Sequence, residues 1–284
     1  MSEVNETALK LAAVPLRTLP AGSGQHRFVR RIYDRWLAGA EPRLGRARVN
    51  GSVFDLELTD YVQAQAFLTG RNDPALVAWL AARLGPGDTY LDVGGHIGLI
   101  AIAIAARRPE ARVIAFEPHP GNGARLESNV ALNPGVEVEL VSAAVGGERG
   151  TAYLETGGPG SDYHHIGGSG EGGAARAEGV EVPVETIDDA CAERRIERVA
   201  ALKLDVEGHE PHALAGAERM LSEGRIDAIV LELNDELLAR SDSSAAEITQ
   251  RLASLGYRTE PIPMAGLNRL HRGSMVYENV AFVR

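Results

Sequence analysis

From Asp73 to the C-terminus, short apolar runs of strand length alternate with segments of helical spacing, and that alternation leaves few folds open. Asp73 and Pro74 read as an N-cap and a first helical position, and Leu76, Val77, Leu80 and Leu84 recur at helical spacing until Gly85-Pro86-Gly87 stops the helix. Strands are then expected over 89–93, 112–117, 137–145, 199–205 and 227–233, with helices through 99–108, 124–133, 212–221 and 245–256. A closing pair of strands falls near 257–261 and 276–283 with no long helix between them, which predicts an antiparallel C-terminal edge strand. Strand, helix, strand, repeated, implies a doubly wound, mostly parallel α/β sheet with helices on both faces. Ligands of such sheets bind beyond the carboxyl ends of the strands.

A length of 284 residues, 44% of them apolar and 24% charged, suits one large core with an appendage. Residues 1–70 differ in character from the domain of residues 71–284: a helix is expected around 25–38, then short antiparallel strands within 49–60, a helical and hairpin extension that caps the substrate site or an oligomer contact. Residues 157–179 hold nine glycines and too little apolar surface to pack, so they read as a lid loop whose substantial side chains are Asp162, Tyr163, His164 and His165. Tyr163, His164 and His165 are therefore candidate substrate contacts. A formal charge of −10 argues against a nucleic-acid partner. The longest apolar run is too short to span a bilayer, so no membrane partner is expected, and the single cysteine, Cys191, fits a cytoplasmic setting. A homodimer stays open.

The stretch YLDVGGHIGLI (90–100) sets glycines between a strand and a helix, the arrangement that brings backbone close to a nucleotide. A phosphate loop would need GxxxxGK[ST], which is missing, and the dinucleotide pattern GxGxxG fails because His96 and Leu99 stand where its second and third glycines belong. What remains is Asp92-x-Gly94-x-His96-x-Gly98, an acid at the strand end followed by small residues. S-adenosylmethionine suits it: the acid receives the donor's ammonium while the glycine backbone lets the methionine portion cross the turn. Glu117, at the end of the next strand, is placed to accept both ribose hydroxyls, a role that would suit NAD equally.

Across the sheet, ALKLDVEGHEPHAL (201–214) crowds Lys203, Asp205, Glu207, His209, Glu210 and His212 at the end of a central strand. Ionisable groups at close range shift one another's pKa, which acid–base chemistry uses. His209 and Glu207 are the base candidates, Asp205 orients substrate or cofactor, and Lys203 tunes the carboxylates. Glu210 has a plainer reading as support for the first turn of the next helix.

LDVGGHIG, IAFEP (114–118), VSAAVG (141–146), ETIDD before ALKLDVEGHE, and AIVLE (228–232) together resemble the FkbM family of S-adenosylmethionine-dependent methyltransferases, a likeness running from about Asp73 to the C-terminus. The resemblance implies a class I, Rossmann-like methyltransferase fold and O-methylation of a hydroxyl on a natural product or its sugar. It places Asp92, Gly94, Gly98 and Glu117 on the cofactor, with His96 and Pro118 lining the same site and Ser142 or Ala143 near the adenine. Asp205 would sit by the methyl-transfer centre, with Glu232 on the substrate side. His96 departs from the family, where asparagine is usual. A divalent ion such as Mg²⁺, held by Asp205, Glu232 and Asn234 to acidify the hydroxyl, is a second version of the same chemistry, although no metal site is assigned. A non-catalytic nucleotide-binding protein and an NAD-dependent oxidoreductase are the remaining alternatives.

Overall fold

The computed structural model describes residues 6–18, 24–156, 164–167, 179–262, 271–272, 275–276 and 278–284. Its first part comprises α1 (Glu6–Thr18), α2 (Gln25–Trp36), the hairpin strands β1 (Leu44–Val49) and β2 (Ser52–Glu57), α3 (Tyr61–Thr69) and α4 (Pro74–Ala81). Alternation follows with β3 (Thr89–Val93), α5 (Ala101–Arg107), β4 (Arg112–Phe116), α6 (Pro120–Ala131) and β5 (Glu139–Val141). Next come β6 (Ala144–Val145), β7 (Gly150–Thr156), β8 (His164–Gly167), β9 (Gly179–Glu185) and α7 (Ile187–Glu193). The chain returns through β10 (Ala201–Leu204), α8 (Glu210–Ala215), α9 (Glu218–Ser222), β11 (Ala228–Leu233), α10 (Asp235–Leu238) and α11 (Ala245–Ser254). It closes with β12 (Arg258–Glu260), β13 (His271–Arg272), β14 (Met275–Val276) and β15 (Glu278–Val283).

Seven strands form the central sheet in the order β12-β15-β11-β10-β3-β4-β5, and β3 lies at its centre, flanked by β4 and β10. The pairs β10–β11, β10–β3, β3–β4 and β4–β5 are parallel, as expected. β15 runs antiparallel to both β11 and β12, so the antiparallel strand lies one place in from the outermost strand. This is the class I methyltransferase architecture that the sequence leads one to expect.

Period-two patterning builds the two faces. Leu91, Val93, Ile114, Phe116, Leu202 and Leu204 enter one apolar cluster, while their neighbours Tyr90, Val113, Ala115 and Ala201 enter the other. Covered on both faces, the strands read as continuous apolar runs, and β3 is buried throughout.

Two expectations need correction. The run 137–145 is two strands: Ala143 N donates to Val141 O at 2.9 Å in a tight turn, after which β6 leaves the main sheet and joins a four-stranded sheet, β6-β9-β7-β8. The region read as a loop from 157 contains β8, paired antiparallel with β7; residues 157–163 and 168–178 lie outside the described residues, and with them the lid and Tyr163.

The extension also contains more helix than expected. α1 and α3 flank the α2 and hairpin segments, and α3 is stopped at each end by side chain and backbone chemistry: the Asp60 carboxylate accepts from Gln63 N, and Gly70 closes the helix at φ 68°. The extension shares a core with the main domain, because Leu56, Leu58 and Phe67 pack with Ile97, Leu99 and Ile102. Asn129 makes a further link: its Oδ1 accepts from Asp55 N at 2.9 Å while its Nδ2 donates to Ile97 O at 3.0 Å, tying hairpin β1–β2 to the glycine loop.

Candidate active site

The glycine loop is shaped by backbone contacts. The amides of Gly94 and Gly95 both donate to Phe116 O, at 3.0 and 2.9 Å, which docks the loop on the end of β4. Gly94 has φ +82°, and a Cβ there would lie 1.9 Å from the Asp205 carbonyl oxygen, so only glycine lets the ends of β3 and β10 approach this closely. His96 also lies in the left-handed region, at φ 48°. Its amide donates to Glu117 Oε2 at 2.7 Å, and Glu117 Oε1 accepts from His119 N at 2.9 Å. Glu117 is thereby fixed at the mouth of the loop, with its pKa raised first by burial and lowered in part by those two amides.

β10 supplies the facing half. Lys203 lies opposite Asp92 in the β10–β3 register. Its buried Nζ stands 3.2 Å from Asp92 and 3.1 Å from Asp205, bridging the two sides of the cleft. Burial opposes the charge on Lys203, but Asp205 and Asp92 outweigh it and hold its pKa above the ordinary value. Burial raises the Asp92 pKa, with Lys203 acting in the opposite direction. The Tyr90 phenol, fully buried on the same strand, is pushed well above its usual range by burial and then by Asp92.

Beyond Asp205 the chain makes a strained turn. Glu207 has φ 51° and Gly208 φ 95°, where a Cβ would come within 2.5 Å of Leu237 O. Glu210, 1% exposed, holds this turn: its Oε1 accepts from Val206 N at 3.2 Å and Gly208 N at 3.4 Å. Ser241 Oγ donates to Gly208 O at 2.7 Å from the other side. Glu210 thus braces the turn itself, and burial pushes its pKa up to about 7. His209 stacks on His212, ring centroids 4.3 Å apart, which fixes the plane of its imidazole.

Asp205, Glu207 and Glu232 bring carboxylate oxygens within 4.8 Å of one another. Burial, then Asp205 and Glu207, drive the Glu232 pKa well above the usual carboxylate range. Burial raises that of Asp205, but Lys203 and the hydrogen bond from Glu232 reverse the sign and leave it below normal. The two carboxyls are pushed in opposite directions: Glu232 is the member of the pair that favours its proton, and Asp205, beside Lys203, the member that favours its charge.

One cavity collects most of the sequence-predicted residues. Asp92, Gly94, His96, Glu117, Pro118 and Ala143 line it together with Lys203, Asp205, Glu207, His209 and Glu232. Gly98 stands behind the loop, where its amide donates to Gly95 O, and Ser142 is exposed to solvent away from the lining. His164 and His165 are placed by their backbone in β8, and their side chains lie outside the described residues. Asn234 is not an available ligand: its Oδ1 caps α10 by accepting from Glu236 N and Leu237 N. The cavity also takes in Asn72, Asp73, Leu154 and Asn279; Asp73 is legible in the sequence only as a helix N-cap, and the other three carry no local signal. Asn279 reaches it because β15 pairs in register with β11, setting Asn279 beside Glu232.

A family model described as "Methyltransferase FkbM domain" matches residues 92–259. Among curated proteins, the AMB antimetabolite synthetase AmbE of Pseudomonas aeruginosa is 30% identical over 210 residues, an alignment covering 61% of this chain but only 10% of that protein. The 31-O-demethyl-FK506 methyltransferase FkbM of Streptomyces tacrolimicus is 28% identical over 66% of this chain and 80% of its own length. The 2-O-methyltransferase NoeI of Sinorhizobium fredii is 25% identical over 54% of this chain and 66% of its own length.

Proposed function

The chain belongs to the FkbM family of methyltransferases, and from that premise we propose that it transfers the methyl group of S-adenosylmethionine to a hydroxyl of a small molecule, a natural product or its sugar. The observation that carries the reading is a cavity into which both strand ends open, the glycine loop and Glu117 on one side and Asp205, Glu207, His209 and Glu232 on the other. Its lining is acidic, and a donor that bears both an ammonium and a sulfonium gains from such a field. The relatives FkbM and NoeI are O-methylating by name, which supports oxygen as the acceptor atom.

Transfer forms a carbon–oxygen bond as the carbon–sulfur bond breaks, with the sulfur keeping the electron pair and the hydroxyl proton passing to a base. Alignment of oxygen, carbon and sulfur supplies much of the acceleration. A positioned base adds roughly 10²–10⁴-fold. Asp205 is a poor base, already committed to Lys203 and the Glu232 proton, and serves to orient; Glu207 and His209 are the candidates for receiving the proton. The carboxylates of Asp205, Glu207 and Glu232 form an oxygen-donor set that suits Mg²⁺, which would acidify the hydroxyl if bound there; this is the second reading, with Glu207 replacing Asn234 among the expected ligands.

Calorimetry with S-adenosylmethionine, S-adenosylhomocysteine and NAD in parallel tests the donor: tight NAD binding without the other two overturns the proposal. Full turnover by a His209→Ala, Glu207→Gln double variant on an acceptor found by screening removes the base assignment. Unchanged turnover in EDTA removes the metal reading.

A further inference from the structure

Among the described residues, the large apolar side chains that stand exposed are Leu11, Val14, Phe28, Trp36 and Leu44, all within the first 44 positions. Phe28 is 59% exposed and Trp36 41%, unusual values for side chains of that size. They share α2 with a dense run of cations. Phe28, Arg31 and Arg35 fall at i, i+3 and i+7, one outward stripe of the helix, while Val29 on the opposite side is buried against the protein. Arg30 is paired with Asp34, but Arg27, Arg31 and Arg35 have no acidic partner among the described residues. On α1, Leu11 and Val14 lie one turn apart and outward, 68% and 57% exposed.

Charge is segregated in the same place. The twelve residues of α2 carry four arginines against Asp34, a net +3, which leaves −13 on the other 272 residues of a chain whose total is −10. A cationic surface studded with Phe, Trp and Leu on an otherwise acidic molecule is the chemistry of a helix that lies in a lipid interface: arginines meet anionic headgroups while aromatic and aliphatic side chains enter the acyl boundary. A symmetric dimer through this face would set the arginines of α2 against those of a second α2, which disfavours a second copy as the occupant. We propose that α1 and α2 form a docking surface for an anionic lipid bilayer, holding the methyltransferase domain at a membrane surface without spanning it. The inference is independent of the reaction in the cleft and revises the expectation of no membrane partner, which rested on the lack of a spanning segment. No described helix is long and apolar enough to cross a membrane.

The test is co-sedimentation of the full chain with phosphatidylcholine vesicles and with vesicles in which a third of the lipid is phosphatidylglycerol. Binding to the anionic vesicles alone is expected, lost at high salt. Arg31→Gln with Arg35→Gln should weaken it about thirty-fold, at roughly fivefold per arginine near the surface. Phe28→Ser should weaken it roughly tenfold, and both variants should keep the wild-type melting curve, since all three side chains are solvent-exposed. Equal binding to neutral vesicles, binding to neither, or wild-type binding by the arginine variant overturns the proposal. So does capture by soluble polyglutamate as tight as by anionic vesicles, which would point to an acidic protein. Self-association of the wild type that Phe28→Ser abolishes in sedimentation velocity would make the surface a subunit contact and also overturn it.

Discussion

The two halves of the cleft are built on different principles. Around β3 and β4, Glu117 is held by the amides of His96 and His119, and the loop amides of Gly94 and Gly95 are committed to Phe116 O, so backbone fixes the shape. Around β10 and β11, Asp205, Glu207 and Glu232 crowd one another, and the buried cation Lys203 pairs with Asp205. The first half is preformed by hydrogen bonds that do not depend on charge balance. The second is poised electrostatically, so its shape and its protonation are the same problem. Binding of a donor needs the former; moving a proton uses the latter.

Lys203 is where the halves meet, and removing it should give the largest effect. Lys203→Met leaves the buried Asp92 and the partly exposed Asp205 without their cation, a change expected to cost about 3 kcal/mol or more in urea unfolding and to weaken S-adenosylhomocysteine binding by calorimetry. Stability within about 1 kcal/mol of wild type would mean that the two sides are not coupled through this residue.

Next in size is the contrast between Asp205 and Glu232. Asp205→Asn removes the ionised member, and turnover should fall about 10²-fold or more. Glu232→Gln keeps a donor facing Asp205 and should change turnover by less than about tenfold at neutral pH, because burial and the neighbouring Asp205 and Glu207 already favour the protonated form of the residue it replaces. The opposite ranking would move the proton to Asp205 and reverse the assignment. Both rates are read on one acceptor at saturating donor.

How much of this was legible beforehand follows from what each feature depends on. The sheet was readable because its strands are buried on both faces and announce themselves as apolar runs, and the loop from Asp92 to Gly98 because glycine and acid spacing is local. The split between Val141 and Ala144 was not, since an apolar strand that changes sheets keeps the same composition throughout. Of the two residues that the resemblance places near the adenine, Ser142 and Ala143, it is Ala143 that lines the cavity. α3 hid behind the alternation of Gln63, Ala64, Gln65 and Ala66, although Asp60 and Gly70 bracket it as cap and stop. The ion pair of Lys203 with Asp92 needs the β3–β10 register, and the approach of Asn279 to Glu232 needs that of β11 and β15; both registers are properties of topology, which no local window contains.

Glu210 sharpens the electrostatic side of the comparison at smaller scale. Burial raises its pKa in the folded chain to about 7, well above the ordinary value near 4.3. The folded state therefore binds this proton more tightly, and its contribution to stability is present below the ordinary value and lost as pH rises through about 7. Glu210→Gln retains an oxygen for the amides of Val206 and Gly208 but has no proton to lose. Wild type should lose on the order of 2 kcal/mol more than the variant between about pH 5 and about pH 8, measured by chemical denaturation. Parallel pH profiles for the two proteins would place the charge of Glu210 in solvent-like surroundings.

His96 gives the smallest expected change and probes the backbone side. Its position is set by φ 48° and by an amide donated to Glu117, features that belong to the main chain and do not require imidazole. Asparagine tolerates the left-handed region better than most residues, because its short polar side chain can hydrogen-bond to the local backbone. His96→Asn should therefore leave donor affinity and turnover within about threefold of wild type and raise stability by a few tenths of a kcal/mol, read by calorimetry and denaturation. A loss of turnover with donor affinity intact would instead move His96 from the preformed half to the proton-transferring half, since it lines the same cavity as Asp205 and Glu207.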